Sequence, residues 1–423
     1  MPCLYGGQNI FNMDSILKKY LKGDAVIWAV FIGLCIISAV EMFSASSTLA
    51  FKSINHTAPM LRHVLFLGMG AFIAFLVHFI PAKFIRIGAF VLLAFSMVTL
   101  VLVLFKGKTE NDATRWLQLG GFQFQPSELG KLSLIIIAAD FIARIKNSAA
   151  NEKKFFRILM VLSAIVCFLI LLENFSTAVL LFGVIWIMMF IGKISTRKLV
   201  LIIAAIVGLG VFGFAAIKIF PQESMPKMFD RAYTWEKRID RYLSEDKEKE
   251  DKYVINDENL QVQHGRIAIA RGGVIGVMPG NSVQRDFLPQ AYSDFIYAII
   301  VEEMGLVGGV FVILLYMVLL FRAGRIATMS KTVFPAILVI GLSLMIVLQA
   351  FVSMAVATSL GPVTGQPLPM ISRGGTSILI TSIYFGILLG ITRQIKEEQA
   401  GNNALTEEIV IEDDNEEEYN DIQ

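Results

Sequence analysis

Residues 333–356 read VFPAILVIGLSLMIVLQAFVSMAV, a run without one charged side chain. At about 1.5 Å of rise per residue such a run is long enough as a helix to cross a bilayer, whose roughly 30 Å hydrocarbon core takes about 20 apolar residues. Comparable runs lie at 25–45, 62–80, 84–105, 127–143, 156–173, 175–192, 199–220, 293–321 and 372–392. The sequence therefore predicts an all-α polytopic membrane protein with about ten transmembrane helices. Almost no polar sequence separates 156–173 from 175–192, so the helix count rests on a break near Glu173.

Composition agrees with lipid as the solvent. The 423 residues are 55% hydrophobic and 17% charged, against about 25% charged in soluble domains. The formal charge of +2 hides an asymmetry, because 11 of the 35 acids follow Lys396. Lys and Arg otherwise punctuate apolar runs and form no basic stripe with interleaved aromatics, which excludes nucleic acid as a partner. Cys3, Cys35 and Cys167 are too few and too scattered for a disulfide framework or a metal site. No cleavable signal peptide is apparent, and the MDSILKKYLKGD stretch from Met13 reads as a natural cytoplasmic start.

Short loops rich in Lys and Arg face the cytoplasm. The loops holding Lys18, Lys19 and Lys22, Lys83 and Arg86, Arg144 to Arg157, Lys193 to Lys198, Arg322 to Lys331, and Arg393 with Lys396 form one such set. Both termini are then cytoplasmic, while 44–61, 106–126 and 221–292 face outward. The domain division is a cytoplasmic segment 1–24, a transmembrane domain 25–393 with the large extracytoplasmic loop 221–292 between helices 7 and 8, and an acidic disordered cytoplasmic tail 394–423. Within the large loop, Arg231 to Lys252 predicts an amphipathic surface helix, and the glycines from Gly272 to Gly280 predict tight turns.

Ionisable groups at membrane depth are costly and mark candidate sites. Arg115-Trp116, Gln125-Pro126-Ser127-Glu128 and Lys131 run from an outer loop into the fourth span. Ser127 can cap that helix, and Glu128 and Lys131, at i and i+3, can pair, either structurally or as part of a site. Asp294 lies at the outer mouth of the eighth span, where it is read either as a helix cap or as a reactive carboxylate. Glu302 and Glu303 lie about 12 to 14 Å deeper on the same helix, too far to act with it on one bond. A Pro/Gly-rich loop, Gly361 to Pro369, feeds Ser372-Arg373-Gly374-Gly375-Thr376-Ser377. Arg373 near a helix start can hold a phosphate or simply snorkel to the interface. His56, His63, His78 and His264 lack metal-ligand spacing, and no nucleotide-binding motif is present.

In order along the chain, the Arg115 to Lys131 cluster, Ala268 to Gly276 (AIARGGVIG), Leu288 to Ile296 with Glu302-Glu303 and Gly305, and the Pro-Leu-Pro and Gly-Gly-Thr-Ser stretch resemble the SEDS family of bacterial cell-wall proteins (shape, elongation, division and sporulation). The resemblance covers about residues 25 to 393 and leans to the FtsW-like division branch over the RodA-like elongation branch.

It implies a peptidoglycan glycosyltransferase that polymerises lipid II, the undecaprenyl-pyrophosphate-linked disaccharide pentapeptide. The reaction would occur at the outer face of the bacterial cytoplasmic (inner) membrane, at the division septum. It further implies a class B penicillin-binding transpeptidase and other divisome proteins as partners. Asp294 becomes the catalytic general base and Arg115, Lys131, Glu128 and Ser377 bind substrate, joined by Arg373 on the strength of its own charge beside a helix start; a divalent cation, Mg or Mn, is a candidate cofactor.

Two departures stand out: Glu173-Asn174-Phe175-Ser176-Thr177-Ala178 replaces the family's Pro-Asp-Leu-Gly-Thr-Ala, and Arg373 stands where a Tyr is usual. A lipid II transporter and a non-catalytic scaffold that recruits a transpeptidase are the alternatives at this stage.

Overall fold

A computed structural model describes residues 22–51, 58–106, 108–110, 113–119, 122–219, 259–288 and 291–421. The expected start at Met13 and the surface helix within Arg231 to Lys252 lie outside them. The helices are α1 (Ala25–Phe51), α2 (Ala58–Val77), α3 (Ala82–Lys106), α4 (Pro126–Asn147), α5 (Glu152–Glu173), α6 (Phe175–Ile191), α7 (Thr196–Ile219), α8 (Leu260–Gly272), α9 (Gln284–Phe287), α10 (Ile296–Met329), α11 (Val333–Ala357) and α12 (Gly375–Asp421).

Every apolar run named above is a helix, which places ten of these elements as expected. Among the described residues eight are long and apolar enough to cross a membrane. The other two are α4, which carries Glu128, Lys131 and Asp140, and α6, whose 17 residues sit at the short end of the spanning range of about 17 to 25. The break near Glu173 is real. Asn174 adopts an extended conformation, its backbone N–H donates to the Ile170 carbonyl at 2.7 Å, and its Oδ1 accepts from the Thr177 N–H at 3.4 Å. One residue thus ends α5 and caps α6.

Burial ranks the helices. In α11, 78% of the apolar stretch is enclosed by protein, whereas in α7 the share is 6%. Large side chains such as Phe105, Phe212 and Phe321 stand on the outside. Apolar surface on this scale is untenable in water, so it faces lipid.

At one end of the bundle, buried Asp24 accepts from Arg322 (Nη2 to Oδ2, 2.7 Å), pairs with Lys396 and caps α1 through the amides of Val26 and Ile27. Asp140 pairs there with Arg86 and Arg144. These cations all belong to the set read as cytoplasmic, and they bring the start of α1, the end of α10 and the part of α12 around Lys396 to one side.

Four features depart from the sequence reading. Three strands, β1 (Lys108–Glu110), β2 (Ala113–Leu119) and β3 (Phe122–Phe124), form an antiparallel sheet, and β1 and β3, at three residues each, are too short to show a period of two in the sequence. Ser127 does not cap α4: Gln125 is the cap residue, Pro126 takes the first helical position, and Ser127 Oγ accepts from Gln125 Nε2 at 2.9 Å. The acidic tail continues α12 as helix to Asp421 rather than as irregular chain, since its Glu, Gln, Ala and Leu are good helix formers. Finally, α10 is broken at Gly305, where φ is 68° and ψ is −173°.

That break receives the AIARGGVIG segment. Freed carbonyls of Glu302 and Glu303 accept from the amides of Val277 (3.0 Å) and Met278 (2.8 Å), and the amides of Leu306 and Val307 donate to Gly273 (3.0 Å) and Val274 (3.2 Å). Buried backbone groups are thereby paired on both sides of the break. Gly276 and Gly305 both have positive φ, and a Cβ on either would strike the other segment's backbone.

Candidate active site

Asp294 lies in the turn that precedes α10 and is half-buried. The cap residue of that helix is Phe295, with no side-chain cap, so Asp294 is not the N-cap that the sequence allowed. Ser293 Oγ donates to Asp294 Oδ1 at 2.8 Å, which orients the carboxylate.

The Pro/Gly-rich loop between α11 and α12 passes beside this turn and is held from every side. Gln366 Nε2 donates to Thr177 Oγ1 on α6. Gln349 Nε2 on α11 donates to the Pro367 carbonyl at 3.1 Å, and Tyr316 on α10 donates to the Pro369 carbonyl at 2.5 Å. Ser38 on α1 donates to the Ile371 carbonyl at 3.1 Å. Ser372 Oγ donates to the Ser293 carbonyl at 2.6 Å, and the Arg373 amide donates to the Tyr292 carbonyl at 2.8 Å. Met370, buried, is fixed at φ 66°, a left-handed conformation that a non-glycine residue adopts only where its surroundings impose it.

Beneath the loop sits the predicted ion pair. Lys131 is 1% exposed, its Nζ lies 2.7 Å from Glu128 Oε1, and it donates to Gln349 Oε1 at 2.9 Å. The i, i+3 spacing on α4 makes the pair, and α11 completes the ammonium's shell. A pair so enclosed survives because each charge keeps hydrogen-bond partners. The signal for Gln349 in the sequence is that it is the single amide side chain in the run 333–356.

Arg373 is exposed at the surface of the loop. The surrounding protein still desolvates its guanidinium, and Arg62 at the start of α2 repels it, so together they hold it below the usual arginine range against the opposing effect of Tyr292. Two cations close enough to repel one another favour an anion beside them. Arg62, at the edge of the apolar run 62–80, carries no signal of its own in the sequence. Ser377 is half-buried in the first turn of α12. Arg115 lies on β2, and its side chain falls outside what the structure describes.

Glu302 and Glu303 form a separate cluster. Glu302 accepts from Ser282 Oγ at 2.5 Å and pairs with Arg271 at 3.2 Å, while Glu303 accepts from Ser44 and lies 3.7 Å from Arg285. These carboxylates hold the glycine segment in the break of α10. Among the described residues no group of three or more His, Cys, Asp or Glu comes together to hold a metal.

Comparison with known proteins gives the chain its relatives. The family model for cell cycle proteins, FTSW_RODA_SPOVE, matches residues 24–397. The chain is 31% identical over 409 residues to a protein of Saccharophagus degradans named "Probable peptidoglycan glycosyltransferase FtsW", with 92% of this chain and 99% of that one covered. A protein of Halomonas elongata bearing the same name is 31% identical, with coverages of 87% and 90%. Among solved structures, the rod shape determining protein RodA of Thermus thermophilus superposes with a TM-score of 0.61 at 23% identity, covering 89% of this chain and 98% of that one. A chain from a structure described as "Structural coordination of polymerization and crosslinking by a peptidoglycan synthase complex" gives a TM-score of 0.67 at 23% identity, with 88% and 98% covered.

Proposed function

The chain belongs to the FTSW_RODA_SPOVE family of cell cycle proteins, and from that premise we propose that it polymerises lipid II into glycan strands with Asp294 as general base. It is a multi-pass membrane protein and a peptidoglycan glycosyltransferase of the FtsW kind, as the relatives' names and the coverage of both chains support. The observation that carries the residue assignment is the turn at 291–295. There a carboxylate oriented by Ser293 is pinned to the loop bearing Arg373 and lies at the end of the bundle opposite the Asp24 and Asp140 clusters.

In this reading the acceptor sugar hydroxyl loses its proton to Asp294 as its oxygen attacks the donor anomeric carbon. The bond from that carbon to the pyrophosphate breaks, and the polyprenyl pyrophosphate departs with the electron pair. Its growing negative charge is met by Arg373 and Arg62 and, through the outer loop, by Arg115. Lys131, fixed by Glu128 and Gln349, supplies a buried positive charge below, and Ser377 is placed to bind substrate from the first turn of α12.

The described residues do not by themselves fit a divalent ion. An Mg or Mn ion at this site would be held chiefly by the substrate's phosphates, as Mg commonly is, and none of the steps above passes through one. The site of action is the outer face of the bacterial cytoplasmic membrane at the septum. A class B penicillin-binding transpeptidase and other divisome proteins are its partners, a reading supported by the synthase-complex likeness and the relatives' names.

Purified protein given lipid II in detergent, where there is no membrane to cross, tests the reading with the transpeptidase present. Glycan polymer on a gel is the expected product. Lipid II binding without polymer would instead assign transport or scaffolding.

A further inference from the structure

We propose that Ser372 is a positioning residue for the polymerisation reaction, fixing the Asp294 carboxylate relative to the buried Lys131 ammonium. The inference rests on the reading of Asp294 as the base.

The two charged groups are on different helices, and a continuous path joins them. Lys131 Nζ donates to Gln349 Oε1 (2.9 Å), and Gln349 Nε2 donates to the Pro367 carbonyl (3.1 Å). On the other side of that same planar peptide group, the Leu368 amide donates to Ser372 Oγ (2.7 Å). Ser372 Oγ donates onward to the Ser293 carbonyl (2.6 Å), and Ser293 Oγ donates to Asp294 Oδ1 (2.8 Å). A serine hydroxyl has one proton to give and lone pairs to accept with, and here both capacities are used in opposite directions. Ser372 is 3% exposed, so water does not compete for either bond.

The loop does not depend on this hydroxyl for its course. The Arg373 amide still reaches the Tyr292 carbonyl, the Ser372 amide still reaches the Leu368 carbonyl, and Gln366, Tyr316 and Ser38 still hold the loop to α6, α10 and α1. Removing the hydroxyl therefore loosens the Ser293–Asp294 turn while the backbone ladder beside it remains. A small misplacement of a reacting group costs rate out of proportion to its cost in stability.

The competing explanation is that Ser372 merely satisfies two buried backbone groups. The test compares Ser372→Ala and Ser372→Thr, each in the native and the Asp294→Asn background, as the full chain with its transpeptidase partner and lipid II as the probe. The positioning role predicts that Ser372→Ala lowers kcat about tenfold or more. KM should stay within about twofold and the melting temperature close to that of the native chain. Ser372→Thr should recover most of kcat, and Ser372→Ala should cost nothing further in the Asp294→Asn background.

Native kcat in Ser372→Ala overturns the proposal. So does a loss carried by KM, a loss of the same factor in both backgrounds, or a Ser372→Thr no better than Ser372→Ala. If Asp294→Asn alone polymerises at the native rate, the reading of Asp294 is what has failed, and the proposal falls with it.

Discussion

Lys131 and Glu128 show what a buried charge demands of its surroundings. Each is satisfied by the other and, for Lys131, by Gln349. Replacing Lys131 by Met leaves Glu128 enclosed without its cation, a change that costs about 3 to 5 kcal/mol in comparable pairs. Thermal unfolding in detergent should show that loss, and Lys131→Met with Glu128→Gln should be more stable than Lys131→Met alone. If the double variant were the less stable of the two, the pair would not be the source of the cost. At this scale the sequence was partly informative. The i, i+3 spacing announced the pair, and Asp294 stood out as a carboxylate at the mouth of a span. Gln349 and Arg62 do not stand out and Ser372 does so only as the first residue of the Ser372–Ser377 stretch, because their importance lies in partners 218, 311 (373 − 62) and 79 positions away along the chain.

The elements that carry the site owe their shape to a few backbone positions. Asn174 divides two helices that hydropathy alone nearly fused, and Asn174→Ala should cost about 1 kcal/mol through the lost cap of α6. Gly305 matters more. Its positive φ and the absence of a Cβ let the AIARGGVIG segment enter α10, so Gly305→Ala combines a strained conformation with a backbone collision. A loss of at least about 1 to 3 kcal/mol is expected, seen as a lower melting temperature or poor recovery of folded protein; an unchanged melting temperature would mean that the segment does not occupy the break. The glycines from Gly272 to Gly280 signalled tight turns, yet nothing local in the sequence says that a turn in one segment fills a gap in another. Long apolar runs were legible because lipid imposes length on each helix separately. The sheet built from β1, β2 and β3 is not legible, because strands of three residues are too short to carry a period, and the inserted segment is not, because pairing between distant segments leaves no period in either.

For the whole molecule, the clasp at the end opposite Asp294 sets a pH dependence. Burial alone would push the Asp24 carboxyl up, but the hydrogen bond from Arg322 and the charges of Lys396 and Arg322 outweigh it and hold Asp24 below the usual carboxylate range. A depressed value means stability that is complete above the unfolded-state pKa of about 4 and is lost as pH falls through the lower folded value. Melting temperature in detergent should therefore fall more steeply below about pH 4 for the native chain than for Asp24→Asn. Parallel curves would remove Asp24 from the account.

The clasp keeps the helices in register at one end, and the Pro/Gly-rich loop keeps Asp294 and Lys131 in register at the other, so a membrane bundle becomes a scaffold for chemistry on a lipid-linked sugar. The most direct test is the rate of lipid II polymerisation by purified Asp294→Asn with its transpeptidase partner, relative to the native chain. The account predicts a fall of about 100-fold or more with folding and lipid II binding retained; polymerisation at the native rate would contradict it.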